Sequence, residues 1–452
     1  MKRLISYLEE KTLSNSFIEK FDVIVVGAGP AGTTAALDLA QGGLSVILLE
    51  RGEEPGQKNM FGGILHYSET LNKLIPDFWK EAPIERYITR YITTLLTSNS
   101  SVSFSFNDDE FGHPPYNGFT LLRGKFDRWY AKKAQEAGAF LVPETTVDDL
   151  VWDKKNMIIG VKTEREEGIL YADLVIVADG ANSLLAKKAT LRNCFKPADF
   201  SVAAKEILTL PREIIEERFD LIDNEGLAHL FVGESTQGIE GGGFLYTNKA
   251  SLSIGVVAKL RALQESKVSI ADLLEGFKTQ RCVSQVIKEA TLKEYSGHLI
   301  PEGGINLVPQ LYGDGILLAG DAAGFLLSTG LTIEGMNFAI ESGFAAAETA
   351  KMAKAKGDFS QHGLRFYKKL LEESFVIKDL KTFRHAPKFF TIPSLYKEYP
   401  SIACGVAREI YRADRPTKKK ILRILREEMK KRVSIWTLIK DFIKAGRALL
   451  WT

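Results

Sequence analysis

The hydrophobic pattern opens at residues 21–26 with a short, β-branched apolar run, the composition a strand needs when both of its faces are covered. Residues 30–41 are rich in Ala and Leu and predict a helix. Residues 44–50 predict a second buried strand, so a β–α–β unit opens the fold. Residues 51–67 replace periodicity with Gly, Pro and Asn over a length that exceeds a simple connector, which marks a functional loop. Residues 88–106 alternate as strands do. Residues 125–138 predict a helix carrying Phe126, Trp129, Tyr130 and Ala134 on one face. Further strands are expected at 139–142, 146–152, 158–163 and 174–178. Residues 198–299 carry more β pattern, clearest at 228–232, 243–246 and 251–258, and predict an inserted antiparallel sheet. Residues 316–319 return to buried-strand character, 333–354 predict a long Ala-rich helix, and everything past 359 reads as helical.

Composition narrows this picture little, and charge narrows it more. The chain has 452 residues, 45% apolar and 26% charged, ordinary for a folded protein of two or three domains or one large α/β domain with an insertion. A net charge of +2 gives no nucleic-acid signal. From Arg415 onward, however, twelve Lys and Arg meet only Glu427, Glu428 and Asp441, a tail of +9 on a body of −7. Cys194, Cys282 and Cys404 lie far apart and suit a reducing, cytosolic compartment. Three thiols cannot ligate a [4Fe–4S] cluster by cysteine alone. Residues 1–20 hold Glu9, Glu10 and Glu19 and no long apolar run, so no secretory signal is expected, and no stretch is apolar for the roughly 18 residues of a spanning helix.

The chemistry begins at Gly27-Ala28-Gly29-Pro30-Ala31-Gly32, between a predicted strand and a predicted helix. Gly27 permits the tight turn, Gly29 lets the backbone approach a pyrophosphate, and Gly32 lets the helix pack close to the strand. The helix N-terminus then offers free N–H groups and partial positive charge to phosphates. Glu50, closing the second strand, stands where a carboxylate accepts ribose hydroxyls. This motif alone leaves FAD and NAD open. Two later pieces favour FAD. Asp179-Gly180-Ala181-Asn182-Ser183 and Gly320-Asp321-Ala322-Ala323-Gly324 each follow a buried strand, placing an Asp at the carboxyl edge of the sheet. Asp321 would accept from a ribityl hydroxyl. A helix beginning near Thr332 would aim its positive end at the N1/O2 side of a flavin.

Together these pieces resemble the glutathione-reductase-type FAD fold in its para-hydroxybenzoate-hydroxylase-like branch. Leu122-Arg123-Gly124-Lys125-Phe126-Asp127-Arg128-Trp129 matches that branch's pattern, which implies that Arg123 contacts FAD. The blocks Lys58-Asn59-Met60-Phe61-Gly62-Gly63, Gly241-Gly242-Gly243-Phe244-Leu245-Tyr246 and Tyr295-Ser296-Gly297-His298-Leu299-Ile300-Pro301-Glu302-Gly303-Gly304 resemble the FixC and electron-transfer-flavoprotein:quinone oxidoreductase family over roughly residues 20–405. The expected fold is therefore α/β: a glutathione-reductase-type FAD-binding Rossmann domain (residues 20–195 and 296–358), an inserted antiparallel β-sheet quinone domain (196–295 with part of 60–120), and a helical C-terminal region (359–452). Arg51, Lys58, Gly62, Gly63 and Val147 complete the expected cofactor set with Pro30, Ala31, Gly180 and Gly320.

The resemblance implies an electron relay from an electron-transfer flavoprotein to FAD and on to a membrane quinone. In the larger relative a C-terminal ferredoxin-like domain holds a [4Fe–4S] cluster. This chain lacks the cysteines, which implies a separate small ferredoxin-like partner. Gly241, Gly242 and Gly243, with Tyr246, resemble the segment whose backbone meets the quinone carbonyl. No dedicated acid or base is assigned; His298 is the nearest candidate. Residues 435, 438, 439, 442 and 443 form one apolar helical face beside Trp436, preceded by Lys418, Lys419, Lys420, Arg423, Arg426, Lys430, Lys431 and Arg432. Such a segment suits the headgroup zone of an anionic membrane, so the expected location is the inner face of the cell membrane. The alternative is a geranylgeranyl-reductase-like saturation of prenyl chains, although residues 244–248 lack the Trp and Pro of those enzymes. A monooxygenase or halogenase is weaker, for want of a Trp-x-Trp pair, and a subunit holding FAD only structurally is a third class.

Overall fold

The computed structural model describes residues 20–58, 62–166, 168–193, 196–329, 332–414 and 417–449. Asn59, Met60, Phe61, Cys194, Arg415, Leu450, Trp451 and the N-terminal segment lie outside the described residues.

Two sheets organise the molecule. The first runs in the order Tyr312–Gly313, Ile316–Leu318, Ile169–Val177, Lys20–Val26, Val46–Leu49, Phe140–Val142. Its four central pairings are parallel. Parallel strands covered on both faces need apolar residues throughout, and Val23, Ile24, Val25, Leu174, Val175, Ile176, Leu317 and Leu318 are fully buried. The helices Pro30–Gln41, Arg123–Glu136 and Met336–Lys356 pack together beside it. A Cβ on Gly343 would stand 2.1 Å from the Ala31 carbonyl oxygen, so only glycine allows the first and third helices to cross this closely. Thr34 and Tyr130 join the first and second by a 2.8 Å hydroxyl–hydroxyl bond.

The second sheet has nine strands, in the order Thr291–Pro301, Phe200–Thr209, Ser251–Lys259, Gly241–Thr247, Glu225–Gly233, Ile84–Leu96, Gly118–Leu121, Ile64–His66, with Ser101–Asn107 beside Ile84–Leu96. It is antiparallel apart from the parallel pairing of Glu225–Gly233 with Ile84–Leu96. Strand alternation gives it two distinct faces. One carries Ala204, Phe231, Leu245, Ile254 and Val256 into a core closed by Phe277 of the helix Ile270–Thr279. The other turns toward the FAD-type sheet and packs Ala203, Val257 and Ile300 on Leu326.

One expected boundary moves. The long helix begins at Met336, not near Thr332. Residues 333–334 instead form a short strand paired with Leu327–Ser328, and Thr332 sits in the turn before it, its N–H donating to the Thr329 hydroxyl at 2.9 Å. The helical periodicity at 333–336 was overridden by this local hairpin. The long strands Phe200–Thr209 and Thr291–Pro301 were not resolved individually in the sequence, because polar residues interrupt each.

Candidate functional site

The site starts at the turn between Lys20–Val26 and the first helix. Gly27 has φ +103°, and a Cβ there would lie 2.3 Å from the Ala178 carbonyl oxygen. A Cβ on Gly32 would lie 1.9 Å from the Gly27 carbonyl oxygen. Both glycines are thus required by close approach. Gly29 differs: it caps the helix, with Pro30 at the first helical position, and a Cβ there meets nothing within 4 Å. Open space at that residue, over unpaired helix N–H groups, suits a pyrophosphate. Glu50 braces the loop, Oε2 accepting from Ala28 N at 3.0 Å and Oε1 from Gly52 N at 2.8 Å. Each oxygen keeps a lone pair for a further donor.

The two Asp loops reach the same sheet edge. Asp179 follows the strand Ile169–Val177, and its Oδ1 is buried without a hydrogen-bond partner. Burial pushes its carboxyl up to about 6, against bonds from Ser183 and Leu185 and the charge of Arg192. Beyond it Gly180 leaves open space. Gly320 packs on Ala31, where an added Cβ would meet the Ala31 methyl at 2.9 Å, so the first and third motifs touch. Asp321 is raised by burial and held back by Arg123 and Arg192. Arg192, unforeseen in the sequence, bonds the carbonyls of Ala181 at 3.3 Å and Ala322 at 3.1 Å and clamps the two loops together.

Arg123 is buried at the start of its helix and grips Asp127 with two bonds of 2.9 and 2.7 Å. Bidentate pairing of this kind fixes the guanidinium plane. Gly62 lies against it: a Cβ there would stand 3.3 Å from Arg123 Nη1. A Cβ on Gly63 would stand 2.9 Å from the Tyr246 ring and 3.6 Å from Lys205 Nζ. The FAD-type edge and the second sheet therefore meet at Gly62–Gly63.

The facing sheet surface follows from register. Tyr246, Phe244 and Gly242 share a face with Lys205, Ser296 and His298 through the pairings Phe244↔Gly255, Gly255↔Lys205, Lys205↔Ser296 and Ala203↔His298. Phe244 stacks on Tyr246 at 5.0 Å. Ser296 Oγ is buried without a hydrogen-bond partner. Burial, reinforced by Arg123 and Arg51, brings His298 down to about 4, so its imidazole is neutral at physiological pH. Lys205 is 2% exposed; burial and Arg123, opposed by Glu294, bring its ammonium down to about 7. The sequence reading missed this lysine, which no motif surrounds.

Other expected residues sit apart. Gly241 and Gly243 alternate onto the opposite face, where the Phe277 ring would lie 2.7 Å from a Cβ on Gly243. Of the three glycines only Gly242 shares the Tyr246 face. Arg51 and Lys58 are exposed in the loop after Glu50, and half-buried Val147 opens the strand Val147–Trp152. Thr332 lies before the hairpin and not at a helix N-terminus.

The donor set and the open glycines fit a dinucleotide flavin, and known proteins agree. Residues 22–94 match a model of FAD dependent oxidoreductases, and residues 386–450 match the ETF-QO/FixC family C-terminal domain, which carries the likeness past residue 405. Protein FixC of Escherichia coli K12 is 42% identical over 95% of this chain and 99% of its own length. The probable electron transfer flavoprotein-quinone oxidoreductase YdiS of the same organism is 40% identical over 95% of this chain and 99% of its own. A geranylgeranyl bacteriochlorophyll reductase-like protein from Thermoplasma acidophilum shares the fold, with a TM-score of 0.71 at 20% identity over 94% of this chain and 99% of that one.

Proposed function

This chain belongs to the FixC and electron-transfer-flavoprotein:quinone oxidoreductase family, and on that premise we propose that it passes electrons from an electron-transfer flavoprotein, through a small ferredoxin-like [4Fe–4S] partner, to a membrane quinone. Its cofactor is FAD, and the chain is an FAD-dependent oxidoreductase. Bound FAD supplies a carrier that takes and gives electrons singly or in pairs. The observation that carries the quinone reading is the buried junction at Gly62–Gly63, where the flavin-binding edge meets a face bearing Tyr246, Lys205 and Ser296.

In this reading Gly27, Gly29, Pro30, Ala31 and Gly32 cradle the pyrophosphate, while Glu50 holds the adenosine ribose. Asp179 and Asp321 accept from the cofactor's polar groups, Arg192 fixes their loops, and Arg123 orients its charge toward the crevice. Lys205 holds one of the two protons that reduction of a quinone to quinol consumes, the second coming from solvent or the reduced carrier, since a base near 7 can give and regain its proton at neutral pH. Neutral His298 leaves that task to the lysine.

Two features support the remaining partners. The sequence holds three cysteines where a [4Fe–4S] cluster takes four thiolates, and Cys282 and Cys404 are free thiols, which favours a cluster carried by a partner. No helix among the described residues is long and apolar enough to cross a membrane. The helix Ile435–Leu449 nevertheless leaves Ile435, Trp436 and Phe442 at 65–72% exposure, an apolar stripe of the kind that lies in a membrane interface.

The test is isolation from native membranes followed by anaerobic reduction. Co-purifying electron-transfer-flavoprotein subunits and an iron–sulfur protein, with flavin reoxidised by a soluble quinone analogue, are expected. An isolated flavoprotein that carries and saturates prenyl lipid would overturn the relay in favour of the reductase alternative.

A further inference from the structure

A groove of about 610 Å³ lies between the short helix Ala386–Phe389 and the tail helix Ile435–Leu449. Arg384, Lys388, Lys440, Lys444 and Arg447 line it, and no acid does. None of the five cations forms an ion pair among the described residues, whereas Arg423 and Lys419, earlier in the basic tail, both pair with Glu427. Lys444 donates to the Thr391 carbonyl at 2.8 Å, and Arg384 Nε donates to His385 Nε2 at 3.1 Å. The charge of Glu240 reaches Lys444 from outside the groove.

Helical spacing explains how one element presents such a wall. Residues 440, 443, 444, 447 and 448 fall at i, i+3, i+4, i+7 and i+8, one face of the tail helix. The exposed stripe of Ile435, Ile439 and Phe442 occupies the adjoining sector, and Ile443 belongs to both. Charge and apolar surface thus meet along a single edge. Five like charges concentrated on one groove repel one another until a counter-anion neutralises them.

We propose that this groove is a discrete binding site for the phosphate headgroup of an anionic phospholipid, with the lipid's acyl chains lying along the adjoining Ile439–Phe442–Ile443 stripe. The proposal rests on the membrane reading above and adds to it: diffuse attraction of a basic tail needs no particular cations, whereas a built groove does.

Binding of the full FAD-loaded chain to phosphatidylcholine vesicles, with and without one-fifth phosphatidylglycerol, tests it. The variant K440Q/K444Q/R447Q removes three groove charges; K420Q/R426Q/K430Q removes three exposed tail charges elsewhere. The groove variant is expected to lose about tenfold or more of its affinity for anionic vesicles, and the other variant less than about threefold. Both should retain wild-type binding to neutral vesicles and full FAD content. Equal losses in the two variants would overturn the groove and leave only diffuse attraction. Displacement from anionic vesicles by millimolar inorganic phosphate, with the groove variant insensitive, would assign the groove to a soluble anion and overturn the lipid. Wild-type protein that binds neither vesicle would sink the membrane reading itself.

Discussion

Burying a lysine strips its ammonium of water; at Lys205 the charge of Glu294 opposes that loss while Arg123 adds to it. Its folded-state value lies below the unfolded one, so the unfolded chain binds more protons between about 7 and 10.5 and stability rises with pH across that window. The cost is fully present below pH 7. Lys205→Met is therefore expected to raise Tm at pH 6 and to leave it nearly unchanged above pH 10. The same variant should slow flavin reoxidation by a quinone analogue about tenfold or more and erase an inflection near pH 7. An unaltered pH profile would remove the lysine from proton delivery. At Gly32 the expectation is steric: a Cβ 1.9 Å from a carbonyl oxygen forces helix and strand apart, so Gly32→Ala should purify without yellow colour and lose roughly 2–4 kcal/mol in denaturant titration. The glycines were legible in the sequence because their job is local, set by one turn. Lys205 and Arg192 were not, since each acquires meaning from groups far along the chain, Lys205 from Arg123 and Glu294 and Arg192 from the carbonyl of Ala322.

Elements carry the second set of outcomes. The tail helix has its apolar stripe turned to solvent, so Trp436→Asp with Phe442→Asp should cost no fold stability yet release the protein from membranes, measured by vesicle sedimentation at unchanged flavin content. Release without those substitutions, in salt alone, would point to charge and not to the stripe. Within the second sheet, Gly243→Ala would press a methyl into the Phe277 ring at 2.7 Å and should destabilise by about 1–3 kcal/mol while leaving quinone affinity intact. A lost affinity would contradict the face assignment. Most elements could be predicted because strand and helix periods are strong over six or more residues. Register could not, and register decides that Gly242 faces the crevice while its two neighbours do not. The start of the Met336 helix was also hidden, because a two-residue hairpin has no period to detect.

At the scale of the whole molecule, the flavin-binding edge and the second sheet share a junction and no long linker. A ligand lying across such a seam stabilises both sides by mass action. Removing FAD is expected to lower Tm, and adding it back at a hundred times its Kd should restore about 2.7 kcal/mol. Calorimetry that showed two independent transitions in the loaded protein would contradict this coupling.

The Arg192 clamp bears on how the protein is made. It ties the carbonyl of Ala181 to that of Ala322, and the loops it joins close over a glycine turn that left the ribosome far earlier. At synthesis rates of roughly 5–20 residues per second, the turn at Gly27 waits about 15–60 s for residue 324 to appear. Flavin cannot be locked in place during that interval, so loading is a late event of biogenesis. Cells short of flavin are then expected to accumulate full-length apoprotein with its nucleotide cradle built and unfilled.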